Sequence, residues 1–200
     1  MPSINLVVYL AVFMSLKDKE KWNRKYQATE YTSGREPCQW LRENSGLLPG
    51  KGKALDIASG EGRNAVYAAS LGYEVLGLDI SEKGLQNAQD LAHEKNLPID
   101  TLVTDLDGFE FEENAFDLVM CFYFLDRNLF PGIRKTLKPG GLLIYETFTL
   151  DHLKYTGLKR EWVLEYNELL REFQTFRVLG YREVDRDEKG FASLIACKMD

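Results

Sequence analysis

The chain is poor in the residues from which metal sites and disulfide frameworks are built. Its three cysteines, Cys38, Cys121 and Cys197, lie far apart and form no C-x-x-C. That argues against a stapled fold or a structural zinc site and favours a reducing, cytoplasmic setting. The two histidines, His93 and His152, stand alone with no H-x-x-H between them, so no metal is expected. No Ser-His-Asp or Cys-His set is recognisable, and no catalytic residue is assigned. Basic charge is scarce as well. The net charge is −6, and Lys17, Lys19, Lys21, Arg24 and Lys25 are interleaved with Asp18 and Glu20. A nucleic-acid surface needs a concentrated positive field, so no nucleic-acid partner is expected. The longest apolar stretch, Ile4 to Met14, falls short of the ~20 residues that span a bilayer. It also lacks the basic start and cleavage site of a signal peptide. No stable membrane insertion is expected. Residues 1–16 read as an apolar extension ahead of the domain, with a membrane-surface or partner-binding tail as the alternative. Residues 17–200 read as one domain, acting as a monomer or homodimer.

What remains is ordinary globular material, with 44% apolar and 28% charged residues among 200, enough for one core. Lys17 to Tyr26 reads as a charged helix with Trp22 and Tyr26 on one face, and Cys38 to Glu43 as a short second helix. Then strands and helices alternate. Strands are expected at Ala54–Ala58, Glu74–Asp79, Ile99–Thr104, Phe116–Phe122 and Leu142–Phe148. Helices are expected at Arg63–Leu71, after the N-cap Ser81 through Ala92, and at Asn128–Leu137. Such alternation implies a parallel sheet with right-handed crossovers. After a helical stretch at Tyr166–Phe173, the strands Thr175–Val184 and Phe191–Lys198 are joined by Asp185 to Gly190. That link is too short for a crossover, so they form an antiparallel hairpin. The expected class is α/β, a doubly wound Rossmann-like sheet of seven strands, mostly parallel, with a C-terminal antiparallel strand.

The chemistry concentrates in Ala54-Leu55-Asp56-Ile57-Ala58-Ser59-Gly60-Glu61-Gly62-Arg63-Asn64-Ala65. A strand that runs through glycines into a helix presents bare backbone and unpaired N–H groups to a ligand. The segment also satisfies the dinucleotide pattern G-x-G-x-x-A. Three acids separate the readings. Asp56 lies inside the first strand, where a carboxylate suits a cationic ligand, although it could instead tie loop N–H groups together. Asp79 ends the second strand and can accept both hydrogen bonds of a ribose diol. Asp105 follows the third strand, within reach of an adenine amino group. Arg63 could meet a carboxylate in bidentate fashion or lie in solvent. Ribose, adenine and a positive centre fit a sulfonium nucleoside better than a pyrophosphate.

These residues resemble motifs I and II of the class I S-adenosylmethionine-dependent methyltransferases. The Arg63-Asn64 pair after the glycines is similar to the tellurite-resistance (TehB-like) and thiopurine-methyltransferase-like branch. Trp22-Asn23-Arg24-Lys25-Tyr26 is similar to that branch's W-x-x-R-Y element with one residue inserted, and Leu137-Lys138-Pro139-Gly140-Gly141 resembles the widespread L-K-P-G-G before strand five. The chain departs from D-x-G-x-G-x-G by carrying Ala58 at the first glycine and Ser59 where cysteine is common. Alanine suits that place if its φ is negative. The resemblance implies S-adenosylmethionine as cofactor and a small-molecule methyl acceptor, such as a thiol or chalcogen nucleophile. It implies that Asp79, with Ile80, holds the ribose, Asp105, with Leu106, the adenine, and Ala58, Ser59, Gly60 and Gly62 the methionine portion. Cys121 and Phe122 would face the methyl group.

Aromatic and polar residues near strand ends are candidates for the acceptor pocket: Tyr123, Phe124, Tyr145 and Phe148, with Arg127 and Glu146 as handles. Trp22 and Tyr26 would form a lid, with cation–π contact to a sulfonium. The competing readings are an NAD(P)-dependent oxidoreductase, against which Asp56 and the missing sixth parallel strand count, and a non-catalytic nucleotide-binding scaffold.

Overall fold

The computed structural model describes residues 4–29 and 31–199, with side chains from residue 16 onward. Residues 1–3 of the apolar extension lie outside the described residues. Helix α1 runs unbroken over Ile4–Ala28. The expected helix at Lys17–Tyr26 is therefore continued backwards into the apolar run, since no glycine or proline interrupts the sequence between them. Among the described residues no helix is long and apolar enough to cross a membrane.

Seven strands follow: β1 (Lys53–Ile57), β2 (Glu74–Asp79), β3 (Asp100–Val103), β4 (Phe116–Phe122), β5 (Leu137–Phe148), β6 (Phe176–Arg186) and β7 (Lys189–Lys198), in the order β3-β2-β1-β4-β5-β7-β6. Strands β1 to β5 pair in parallel, and β7 runs antiparallel to both β5 and β6. A doubly wound dinucleotide sheet has the order 3-2-1-4-5-6. The reversed strand wedged between β5 and β6 departs from it as the sequence implied.

Helices α2 (Gln39–Glu43), α3 (Arg63–Ser70) and α4 (Glu82–Glu94) cover one face, and α5 (Leu129–Thr136) and α6 (Glu168–Glu172) cover the other. Alternation along the strands sorts the core. Leu55, Ile57, Val119, Cys121, Leu143 and Tyr145 face α5 and α6, while Ala54, Leu118, Met120, Phe122, Leu142 and Ile144 face α2 to α4. Asp56 shares the second face by the same alternation, which sets it under the start of α3.

Some boundaries move. β5 begins at Leu137, because Lys138-Pro139-Gly140-Gly141 loops out as a bulge: Phe116 pairs with Leu137 and Leu118 with Leu142. The hairpin loop shrinks to Asp187 and Glu188, both left-handed at φ 52° and 57°, the twist that two-residue hairpins require.

At the first βα turn, Gly62 has φ +76°, and a Cβ there would lie 2.5 Å from Ala88 Cβ and 2.9 Å from Ala88 Cα. The glycine lets α3 pack directly on α4. Left-handed strain of ~1–2 kcal/mol and overpacking of ~1–3 kcal/mol make Gly62→Ala destabilising by roughly 3 kcal/mol in chemical denaturation. A loss under ~1 kcal/mol would show that the helices are not locked at this point.

Candidate functional site

The C-terminal ends of β1, β2 and β4 form the rim on which the expected residues gather. Asp79, at the end of β2, is buried, and its carboxylate gathers backbone donors from two turns. Gly60 N–H donates to Oδ2 and Ser81 N–H to Oδ1, each at 2.8 Å, and the Ile80 N–H adds to them. Burial holds the Asp79 pKa above the usual carboxylate value, against the lowering effect of these N–H groups. Ser81 also caps α4 by accepting from Gly84 N–H at 3.0 Å. Asp105 stands just past β3, where Thr104 N–H donates to the Asp79 carbonyl at 2.9 Å. Its own Oδ1 accepts from Asp107 N–H. Ile80 flanks Asp79 half-buried, while Leu106 is buried in the α5-side core.

The turn itself differs from expectation at two residues. Ala58 has φ +55°, so the negative φ that would suit alanine is not met. The chain needs a left-handed residue where β1 breaks into the turn, and alanine carries the strain that glycine would avoid. Asp56 is sealed 2% exposed beneath the turn, not presented to a cationic ligand. It accepts from Ser59 Oγ at 2.8 Å and from the Ala65 N–H, bracing the turn to the first turn of α3. Desolvation pushes its pKa up to about 7.

Helix α1 lies across this rim. A Cβ on Gly60 would meet the Tyr26 hydroxyl at 2.8 Å, and one on Gly84 would meet the Tyr26 ring at 3.0 Å. Tyr26 thus rests on both glycines, with Trp22 stacked at 5.5 Å and Lys25 over Trp22 at 4.4 Å. Tyr26 covers the turn with Trp22 stacked beside it, over the Gly60 and Gly84 side of the rim where the expected lid would sit. Asn23, to which the sequence assigned no role, fixes the helix by accepting from Ser81 Oγ at 2.6 Å and Lys83 N–H at 3.1 Å. Its only sequence signal was its place within Trp22–Tyr26. Glu61 was also missed. It is buried, accepts from Asn87 Nδ2 at 2.9 Å, and leaves Oε2 without a hydrogen bond.

Several acceptor-side candidates are committed elsewhere. Arg127 is clamped by Glu168 (Nε to Oε1, 2.6 Å; Nη2 to Oε2, 2.9 Å) and by the carbonyls of Glu161 and Val163. With its fork filled, it braces the segment after β5 and is not a substrate handle. Tyr145 is a core residue whose hydroxyl donates to the Phe124 carbonyl at 2.9 Å. Cys121 is fully buried on the same side, and burial pushes its thiol up to about 12; it packs in the core and does not face the rim. Phe122 packs among the residues facing α2 to α4. Arg63 turns toward α2, donating to the Ser33 carbonyl at 2.5 Å and to Cys38 Sγ at 3.1 Å, because β1 and α3 aim it away from the turn. Tyr123, Phe148 and Glu146 do meet: the two rings lie 5.2 Å apart, and Tyr123 donates to Glu146 Oε1 at 2.8 Å.

Residues 54–141 match the family described as methyltransferase domain. The probable S-adenosyl-L-methionine-dependent methyltransferase TehB of Haemophilus influenzae is 30% identical over 139 residues, which is 66% of this chain and 48% of that protein. The putative methyltransferase YqeM of Bacillus subtilis is 32% identical over 117 residues, 54% of this chain and 47% of that protein. The chain thus spans about half the length of the curated relatives it matches. The crystal structure of TehB from H. influenzae superposes with a TM-score of 0.67 at 23% identity, over 90% of this chain and 66% of that one. The chain is similar to the class I S-adenosylmethionine-dependent methyltransferases, with TehB of H. influenzae among its relatives, and it shares their fold. S-adenosylmethionine is the cofactor of that family.

Asp56 sets a pH dependence. Its pKa is higher in the folded chain than the 3.8 of a free side chain, so the folded state binds more protons between those values. The contribution is full below 3.8 and is lost as pH rises through about 7. Asp56→Asn should remove a stability difference of at most about 3 kcal/mol when urea denaturation is compared at pH 5 and pH 8. Equal slopes in wild type and variant would place the titration elsewhere. Ala58→Gly should stabilise by about 0.5 kcal/mol, since relief of ~1–2 kcal/mol of left-handed strain outweighs ~0.4–1 kcal/mol of added chain entropy. A destabilised variant would contradict the strained turn.

Proposed function

We propose that the chain transfers a methyl group from S-adenosylmethionine to a small-molecule acceptor. The observation that carries this reading is the Asp79 carboxylate, tied to the Gly60 N–H where β1 becomes α3. A carboxylate offers about four acceptor positions, and backbone N–H groups use three of them here. One acceptor position remains for a ribose hydroxyl. Asp105, one strand over, is the partner for an adenine amino group, and the Ala58–Gly62 turn brings bare backbone to the methionine portion. The chemistry of these residues fits the cofactor. The space above Gly60 is filled by Tyr26, so cofactor entry requires that ring to leave and α1 to close again behind it.

The bound cofactor supplies an electrophilic methyl on a positive sulfur. The chain's own work is to align the acceptor and exclude water, which can remove several kcal/mol of barrier. Tyr26 and Trp22, stacked over the rim, serve the second purpose. A soft nucleophile such as a thiol or a chalcogen anion suits a displacement at sulfonium carbon. A net charge of −6 favours a small acceptor over a nucleic acid.

Calorimetric titration with S-adenosylhomocysteine should show saturable binding, and titration with NAD should show none. Asp79→Ala would leave three buried N–H groups without their acceptor, each at ~1–3 kcal/mol. That substitution therefore threatens the fold, contrary to a purely ligand-facing role, and Asp79→Asn is the sounder probe. It should weaken S-adenosylhomocysteine roughly 10- to 100-fold while circular dichroism stays native. Unchanged affinity would remove Asp79 from the binding site.

A further inference from the structure

Just beyond β4 the backbone does something costly. Tyr123 has φ +55°, a left-handed conformation that is an outlier for a bulky residue. The surroundings impose it. The Tyr123 N–H donates to the Glu146 carbonyl at 2.7 Å, and the ring is held between Phe148 at 5.2 Å and the Arg63 guanidinium at 5.9 Å. β4 pairs with β1, Cys121 lying opposite Ile57, so the strained tyrosine stands on the same rim as the glycine turn.

The side chain joins solvent to interior. Tyr123 is 43% exposed, whereas Glu146, which accepts from its hydroxyl at 2.8 Å, is 3% exposed. The second carboxylate oxygen of Glu146 accepts from Ser193 Oγ at 2.6 Å and lies 3.5 Å from Arg182 Nη2. Arg182 is itself shared with Glu43 at 3.3 Å and stacked on Trp40 at 4.4 Å. β4, β5, β6, β7 and α2 all contribute to one chain of contacts. A surface phenol needs no such support merely to pack.

We propose that Tyr123 and Glu146 form a proton relay for the methyl acceptor, so that the acceptor attacks through an atom that arrives carrying a proton, a thiol or a hydroxyl. This rests on the methyltransferase reading above and narrows it. As the new bond from carbon to the acceptor atom forms and the carbon–sulfur bond breaks, the breaking pair goes to sulfur, which becomes a neutral thioether. The acceptor's proton, made strongly acidic by methylation, passes to the Tyr123 oxygen, and the phenol's own proton passes to Glu146 Oε1. The positive charge of the sulfonium and the negative charge of Glu146 cancel, and Glu146 later returns its proton to water. Tyr123 stays a neutral phenol in this scheme. That accords with the upward shift of its pKa by burial and by the adjacent Glu146.

The test is a labelled-methyl assay on wild type and Tyr123→Phe. One pair of acceptors carries a proton on the attacking atom (2-mercaptoethanol and catechol), and the other pair does not (selenite and dimethyl selenide). General-base assistance is worth 10²–10⁴. Tyr123→Phe should therefore lower kcat on the thiol or catechol about 100-fold, with KM little changed and the solvent isotope effect on kcat lost. Transfer to selenium should be equal in both proteins. Removal of the hydroxyl takes one donor from Glu146 and leaves that of Ser193 in place, and a native thermal transition shows that the variant keeps its fold. Glu146→Gln, if it folds, should reproduce the kcat loss. The relay is overturned if Tyr123→Phe keeps its kcat on the thiol or catechol, or if the wild type methylates neither of them. Binding of S-adenosylhomocysteine, measured alongside, separates the failures. A chain that does not bind it loses the methyltransferase reading, and one that binds it but fails the assay loses only the relay.

Discussion

The side chain of Asp79 accepts backbone N–H groups from the turn after β1 and from the start of α4. Neither turn could hold its conformation with those donors buried and unpaired. The parallel register of β1 and β2, with Ile57 opposite Leu78, brings the two turns to one level so that a single carboxylate serves both. The contact of Gly62 with Ala88 then sets how closely α3 and α4 follow. Asp56 repeats the device one layer down, tying Ser59 and the first turn of α3. Two buried acids on adjacent strands thus hold a segment that contains left-handed alanine and glycine.

Strain is concentrated where the chemistry would be. Ala58 and Tyr123, at the ends of the neighbouring strands β1 and β4, both hold positive φ. The first shapes the turn after β1, and the second turns a phenol onto Glu146. The surrounding hydrogen bonds make each affordable to the fold.

Much of this was legible in the sequence. The alternating apolar runs gave the strands and helices, the turn residues and the short C-terminal link gave the antiparallel β7, and Gly60, Gly62 and Asp79 marked the rim by type and spacing. What was hidden depended on contacts between distant segments. Arg127 looks like a free cation until Glu168 folds against it. Asp56 looks ligand-facing until strand alternation turns it under α3. The sign of φ at Ala58 is set by the turn as a whole and not by the residue. The connection from Glu146 to Ser193 and Arg182 joins strands far apart in the chain, and no local pattern announces it. Nor could spacing show that Tyr26 rests on Gly60 and Gly84.

That last contact makes α1 part of the site: Lys19 pairs with Glu82, Asn23 with Ser81, and Tyr26 covers Gly60. If the cofactor binds at Asp79 as proposed, the Tyr26 ring lifts in the same event. A crystal structure of the complex with S-adenosylhomocysteine tests this directly. The account requires a ribose hydroxyl on the Asp79 carboxylate and the Tyr26 ring lifted from Gly60. A ligand bound away from Asp79, or bound with Tyr26 still seated on that glycine, would contradict it.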